Sequence, residues 1–291
     1  MNARPEAFTP SWGDTRVLDE FFIKGRNMWP DLQDIAKLEF KRELVPDKVV
    51  EFIRSTALNE HGIVHYVKGY FRAYGDDYKL GIWASMWGGE EYLHSIVLRT
   101  ILEGLGETIS DEQYEGLEYG DYGGHSDRYL AQKREGFEMS RSMQQLLYGV
   151  LQEYSAKIAY CSVADVAGDP NIASLLRRIA KDEVRHCRFF QLCLEAMAEN
   201  VSEEIRAEIW PQFRLLFNDH QMPTEHIAMF DQQEMGTDLY IGFWTPEYRS
   251  DLILYLTRYF AKFKSPGHAG SDGSDTAAGG RKIHKEIAAA R

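Results

Sequence analysis

Glu90-Glu91-Tyr92-Leu93-His94 and Asp182-Glu183-Val184-Arg185-His186 decide how this sequence is read. Each holds Glu-x-x-His within a long run free of proline. At 3.6 residues per turn, positions i and i+3 share a helix face. Each helix therefore aims one carboxylate and one imidazole in the same direction. Apolar neighbours surround them: Ile82, Trp83, Trp87 and Leu98 about the first pair, Ile179, Phe190 and Leu194 about the second. A carboxylate on an apolar face is costly unless it is paired or metal-bound.

Working outward, the chain divides into helical runs. Pro46 opens a run from Lys48 to Tyr74, and Gly75-Asp76-Asp77 closes it. A second run extends from Tyr78 to Leu105 and stops at Gly106. An acidic, glycine-containing loop is expected over Glu107–Arg128, then a third helix over Ala131–Ala167. Gly168-Asp169-Pro170 ends that helix and starts a fourth, Pro170–Glu199. Shorter helices are expected at Glu203–Asp219, Thr224–Glu234 and Pro246–Phe263, and helical character also upstream, from Val17 to the break at Val45-Pro46. No stretch reads as a sheet. From Ser265 the composition turns to small and polar residues, so residues 1–264 are expected to form one folded domain and 265–291 a disordered tail.

Each of the other two long helices has one central acid: Glu60 in the first and Glu153 in the third. The order is thus Glu, Glu-x-x-His, Glu, Glu-x-x-His, one set per helix. That set predicts an all-α fold, a ferritin-like four-helix bundle with a di-metal core plus additional helices. The expected ligands are Glu60, Glu91, His94, Glu153, Glu183 and His186. Hard carboxylates with one imidazole per metal suit two iron ions, or an iron–manganese pair, with open positions for dioxygen. Glu90 and Asp182 are placed beside the ligands, either competing with them or orienting a histidine across the bundle.

These residues resemble the soluble acyl-acyl-carrier-protein desaturases. Trp83-x-x-x-Trp87-x-x-Glu90-Glu91-x-x-His94 is similar to that family's tryptophan-rich first motif. Gly168-Asp169 through Asp182-Glu183-x-Arg185-His186 is similar to its second. Gln152-Glu153, Glu60 before Tyr66, and Met222-Pro223 with His226 and Met229-Phe230-Asp231 extend the likeness from Thr56 to Asp231. The resemblance implies oxygen-dependent desaturation of an acyl chain on acyl carrier protein, electrons from a ferredoxin, and a homodimer. It also implies that Asp182 links a ligand histidine to an electron-entry tryptophan, for which Trp29 is the candidate.

Two residues depart from the family. Ala156 stands where a threonine flanks the oxygen site, and Lys157 replaces an apolar residue. Lys157 either reaches the surface or holds an anionic head group. The departures keep open a di-iron hydroxylase or N-oxygenase of a small or carrier-bound substrate. A non-catalytic iron-binding protein of ferritin type is the reading from another class. A ribonucleotide reductase small subunit fits less well, because Glu60 stands where that family has an aspartate.

Further features have two readings each. Gly88-Gly89 gives close helix packing or room for oxygen or substrate. His61 and His65 form an i,i+4 pair beside Glu60, either ligands or partly exposed side chains. Arg177, Arg178, Lys181, Arg185 and Arg188 gather on one face of the fourth helix, which is a solvated surface or a docking site for acyl carrier protein or ferredoxin. Arg185 has the further option of turning inward.

Composition sets the limits. The net charge of −12 argues against nucleic acid as a partner. No apolar run approaches the ~18 residues of a membrane span. Cys161, Cys187 and Cys193 make no disulfide framework. The first residues lack the apolar core of a secretory signal, so a cytoplasmic location is expected.

Overall fold

The computed structural model describes residues 29–74, 78–114, 141–218, 243 and 245–264. Among them are the α-helices α1 Leu32–Ile35, α2 Asp47–His61, α3 Ile63–Tyr74, α4 Tyr78–Gly104, α5 Arg141–Val166, α6 Pro170–Glu199, α7 Glu203–Asn218 and α8 Pro246–Ala261. A single 3-10 turn, Arg42–Leu44, precedes α2. No strand occurs among the described residues. The fold is all-α, and its long helices pair as α2 and α3 on α4 and as α5 on α6. The two pairs meet through α4 with α6 and α3 with α5. The additional helices α7 and α8 lie against α6, α5 and each other.

The core is cut in two by a polar layer. One apolar cluster holds Trp83, Trp87, Leu151 and Cys187 to Ala198; the other holds Ala57, Val97 to Leu105, Ala159 to Ala167 and Ile172 to Ala180. α4 and α6, and the chain from α2 into α3, pass from one cluster to the other at their candidate ligands. Glu60 falls between Ala57 and Ile63, Glu91 and His94 between Trp87 and Val97, and Glu183 and His186 between Ala180 and Cys187. On α5 the change comes later, between Ile158 and Ala159, one to two turns after Glu153. The apolar halves hold the four helices rigidly in register on both sides of the layer.

Below the layer the packing is aromatic. The Trp83 ring stacks on Phe189 at 4.2 Å and lies 5.5 Å from Trp87, while Tyr70 meets Trp87 edge-on at 5.2 Å. Gly149 lets α6 approach, since a Cβ there would sit 2.5 Å from the Phe190 ring. Gly88 does the same for α3, where a Cβ would meet Val67 Cγ2 at 2.5 Å. Close packing is thus the role of Gly88, and Gly89 faces open space on the exposed side.

Two expectations are corrected. The run Lys48–Tyr74 is not one helix, because α2 ends at His61 and α3 restarts at Ile63. Gly62 turns there, its N–H donating to the carbonyls of Leu58 and Asn59. Glycine is among the weakest helix formers, so the break falls where it costs least. Upstream of Pro46, the described residues carry only α1 and the 3-10 turn, with no long helix. Tertiary bonds hold that strap extended against α6: Lys41 N–H donates to Asp169 Oδ2 (3.0 Å) and Asn171 Nδ2 to the Glu39 carbonyl (3.0 Å). Asp169 also caps α6, its Oδ1 accepting from Asn171 N–H and Ile172 N–H. The helical character expected over 17–28, the loop over 115–128, the start of the third helix over 131–140, the short helix over 224–234, the segment 222–231 and the tail 265–291 lie outside the described residues.

Candidate metal centre

Glu60 on α2, Glu91 and His94 on α4, Glu153 on α5, and Glu183 and His186 on α6 converge in the polar layer, each at most 8% exposed. They form two groups of four, Glu60–Glu91–His94–Glu183 and Glu91–Glu153–Glu183–His186. Within each group one donor atom per residue lies within 4.8 Å of every other. The groups share Glu91 and Glu183.

The sharing is visible atom by atom. Glu91 turns Oε2 to His94 Nδ1 at 3.1 Å and Oε1 to His186 Nδ1 at 2.7 Å. Glu183 turns Oε1 to His94 Nδ1 and Oε2 to His186 Nδ1, both at 3.4 Å. Glu153 Oε2 stands 3.5 Å from His186 Nδ1. Two carboxylates thus split their oxygens between two imidazoles, while Glu60 and Glu153 cap the two ends.

The outer nitrogens of both rings meet carboxylates from the opposite helix. His94 Nε2 on α4 lies 3.2 Å from Asp182 Oδ2 on α6. His186 Nε2 on α6 lies 2.7 Å from Glu90 Oε2 on α4. Glu90 and Asp182 thus each face a histidine across the bundle and join neither group of four. The Trp29 indole N–H donates to the same Asp182 Oδ2 at 2.6 Å, and its ring is 5.9 Å from His94.

The electrostatics follow from burial. Burial, then the facing Glu91, pushes the carboxyls of Glu60 and Glu153 well above their usual range. Burial alone would lower His94 and His186, but Glu91 and the surrounding carboxylates lift both well up. Burial would raise Glu91, yet His186 and His94 outweigh it and hold it down. Asp182 drops to about 2, because His94, His186 and Arg185 overcome its burial.

The donor set fits two divalent cations. Four carboxylates and two neutral imidazoles carry four negative charges, which two doubly charged ions balance. Glu153 Oε1 is buried without a hydrogen bond, a costly state unless a cation meets it. Oxygen-rich ligation with one imidazole per ion suits iron or manganese over thiolate-seeking metals.

Tyr160 was not among the residues expected at the centre. Its hydroxyl donates to Glu60 Oε1 at 2.7 Å. It stands two turns after Glu153 on α5, so helical spacing alone would have found it.

Other expected residues stand elsewhere. Lys157 is not part of the centre: its Nζ bonds Asp251 Oδ2 on α8 at 2.9 Å and lies over the Tyr154 ring. The side chain points toward the surface, where it pairs with Asp251. Ala156 is partly buried against the apolar cluster of Val97 to Leu105. His61 sits beside the Tyr92 and Tyr114 rings and belongs to neither group of four. On the cationic face of α6, Arg177 pairs with Asp165 and Arg188 with Glu195. Lys181 is exposed and Arg178 half-buried. Arg185 leaves that face and turns inward to Glu90 and Asp182. Lys157→Met is expected to leave metal content unchanged and to shift stability by under ~1 kcal/mol, as for an exposed ion pair; metal analysis and thermal denaturation check it, and lost metal would place Lys157 at the centre.

The sequence matches the model of the fatty acid desaturase family over residues 31–239, a span that contains all six converging residues. The chain belongs to the fatty acid desaturase family. Two strains of Mycobacterium tuberculosis supply curated relatives, both DesA1, whose name assigns it provisionally to the acyl-[acyl-carrier-protein] desaturases. Identity is 24% over 232 residues, covering 78% of this chain and 61% of the relative. The chain thus spans about three fifths of the length of the curated relatives it matches. The buried Glu/His cluster is compatible with a di-metal site. No helix among the described residues is long and apolar enough to cross a membrane.

Proposed function

We propose that the chain is an oxygen-dependent di-iron oxidoreductase that desaturates an acyl chain carried on acyl carrier protein. The observation that carries this reading is the sharing of Glu91 and Glu183 between two four-residue groups. Glu60 and His94 would hold one ion and Glu153 and His186 the other, with Glu91 and Glu183 common to both groups. Bound there, two iron ions supply the capacity to reduce dioxygen and to take hydrogen from an unactivated C–H bond.

The reaction balances as one CH2–CH2 unit, dioxygen, two electrons and two protons giving one CH=CH unit and two waters. A ferredoxin-type donor supplies the electrons. Trp29, bonded to Asp182 and through it to His94, supports entry on the α6 side. The chain's own groups keep the site ready. Asp182 and Glu90 fix the rings so that both Nδ1 atoms face inward. The apolar clusters on either side exclude water from the layer. Arg177, Arg178, Lys181 and Arg188 form the docking face for the acidic carrier or donor, and the ion pairs of Arg177 and Arg188 exchange for it.

Ala156 favours one alternative, insertion of oxygen into a small or carrier-bound substrate, because the hydroxyl expected there is absent. A single-turnover assay separates the two. The iron-loaded, chemically reduced protein is mixed with oxygen and a stearoyl- or palmitoyl-carrier substrate, and the acyl chain is read by mass spectrometry. Loss of two hydrogen atoms is the expected result. Gain of one oxygen atom would establish the hydroxylase, and an unchanged chain after full oxidation of the iron would reject both acyl substrates.

A further inference from the structure

The two motifs place an acid, a glutamate and a histidine at the same spacing but differ before the histidine. Leu93 precedes His94, whereas Arg185 precedes His186. Each half of the centre has a carboxylate behind its histidine, yet only one half brings a cation with it. The structure shows where that cation goes. One guanidinium nitrogen of Arg185, NH2, lies 2.5 Å from Glu90 Oε2 and 3.1 Å from Asp182 Oδ1. Glu90 is the carboxylate behind His186, and Asp182 is the one behind His94. The Arg185 side chain is 10% exposed.

We infer that Arg185 is a positioning residue for both metal sites at once, a single clasp that fixes the two carboxylates orienting the two ligand histidines. The inference rests on the di-metal reading above. Its physical basis is charge and geometry. Glu90 and Asp182 are like-charged groups drawn to one nitrogen, so each would relax away from the other without it. A carboxylate that swings off its histidine frees the ring to rotate and lowers its basicity toward the metal. Glu90, with 26% of its side chain exposed, has room to turn to solvent. Asp182, at 1%, keeps the Trp29 N–H and moves less. Loss of Arg185 therefore weakens both sites, the His186 side more.

The two halves are read separately with cobalt(II) under anaerobic conditions, through its visible ligand-field bands. Glu60→Ala leaves the His186-side group intact apart from its neighbour, and Glu153→Ala leaves the His94-side group. Arg185→Gln is expected to weaken cobalt binding about 10-fold or more in both backgrounds and to shift the bands in both. Arg185→Lys should restore part of the loss. A response in one background alone, or in neither, would overturn the inference. Should either single-site variant hold no cobalt, the full-ligand chain decides: both steps of its two-step titration must weaken in Arg185→Gln, and one unchanged step overturns the clasp. Wild-type chain that takes up no cobalt would overturn the di-metal reading itself, an outcome distinct from a one-sided response.

Discussion

Glu183→Ala is expected to leave the chain with neither metal ion, the largest functional effect of any single substitution at the centre. Glu183 gives one oxygen to the His94 side and the other to the His186 side. Removing it takes a ligand from both groups at once, leaving three donors in each. His186→Ala takes a ligand from one group only, so two-metal binding fails while one ion is retained weakly. Arg188→Ala, exposed and paired with Glu195, keeps both ions. Metal per chain after loading and desalting is the measurement. Stability gives an independent reading. A ligand that binds only the folded state stabilises it by ~4 kcal/mol when present at a thousand times its Kd. Glu183→Ala should lose that metal-dependent rise in Tm. Its metal-free form should suffer less than an ordinary core truncation, because one of four crowded buried carboxylates is gone. Full metal content in Glu183→Ala would reject the bridging role.

What the sequence reveals of this molecule is what local spacing controls. Glu-x-x-His on two helices puts its donors on one face by the helical repeat alone. Glu60 and Glu153 stood out as lone acids in apolar runs. The six residues selected that way are those the structure gathers. What was not legible depends on partners far along the chain. Lys157 finds Asp251 across 94 positions, and Lys41 finds Asp169 across 128. Arg185, before His186, has a register near the Arg177–Arg188 stripe, so spacing left it either on that outer face or turned inward. It turns inward because Glu90 arrives from α4, a contact that no helical wheel of α6 contains. The run Lys48–Tyr74 reads as continuous through Gly62, because whether a lone glycine bends or breaks a helix is decided by packing. Here it breaks α2 from α3 directly after Glu60.

Gly168→Ala is expected to be the most damaging glycine substitution, for a reason that joins the fold to the centre. Gly168 has φ +75°, a left-handed conformation that costs an L-residue ~1–2 kcal/mol. A Cβ there would also lie 2.0 Å from the Leu44 carbonyl oxygen. That atom is backbone, so no side-chain rotation relieves the clash. The strap must lift from the start of α6, and two hydrogen bonds, Lys41 to Asp169 and Asn171 to Glu39, go with it. At ~1 kcal/mol each, the total loss reaches ~3 kcal/mol or more. For a chain of this size Tm falls by ~2–4 °C per kcal/mol. The strap also carries the buried Ile35 and Val45, and Trp29 at its start holds Asp182. Lifting it loosens the hydrogen bond behind His94. Gly106→Ala is the control: its φ is +79°, but nothing lies within 4 Å of the added Cβ. It should lose only the backbone part, ~1–2 kcal/mol. The difference between the two variants in thermal or denaturant unfolding isolates the Leu44 contact. Equal losses would mean that the strap yields freely and that Trp29 is held in place by its own packing.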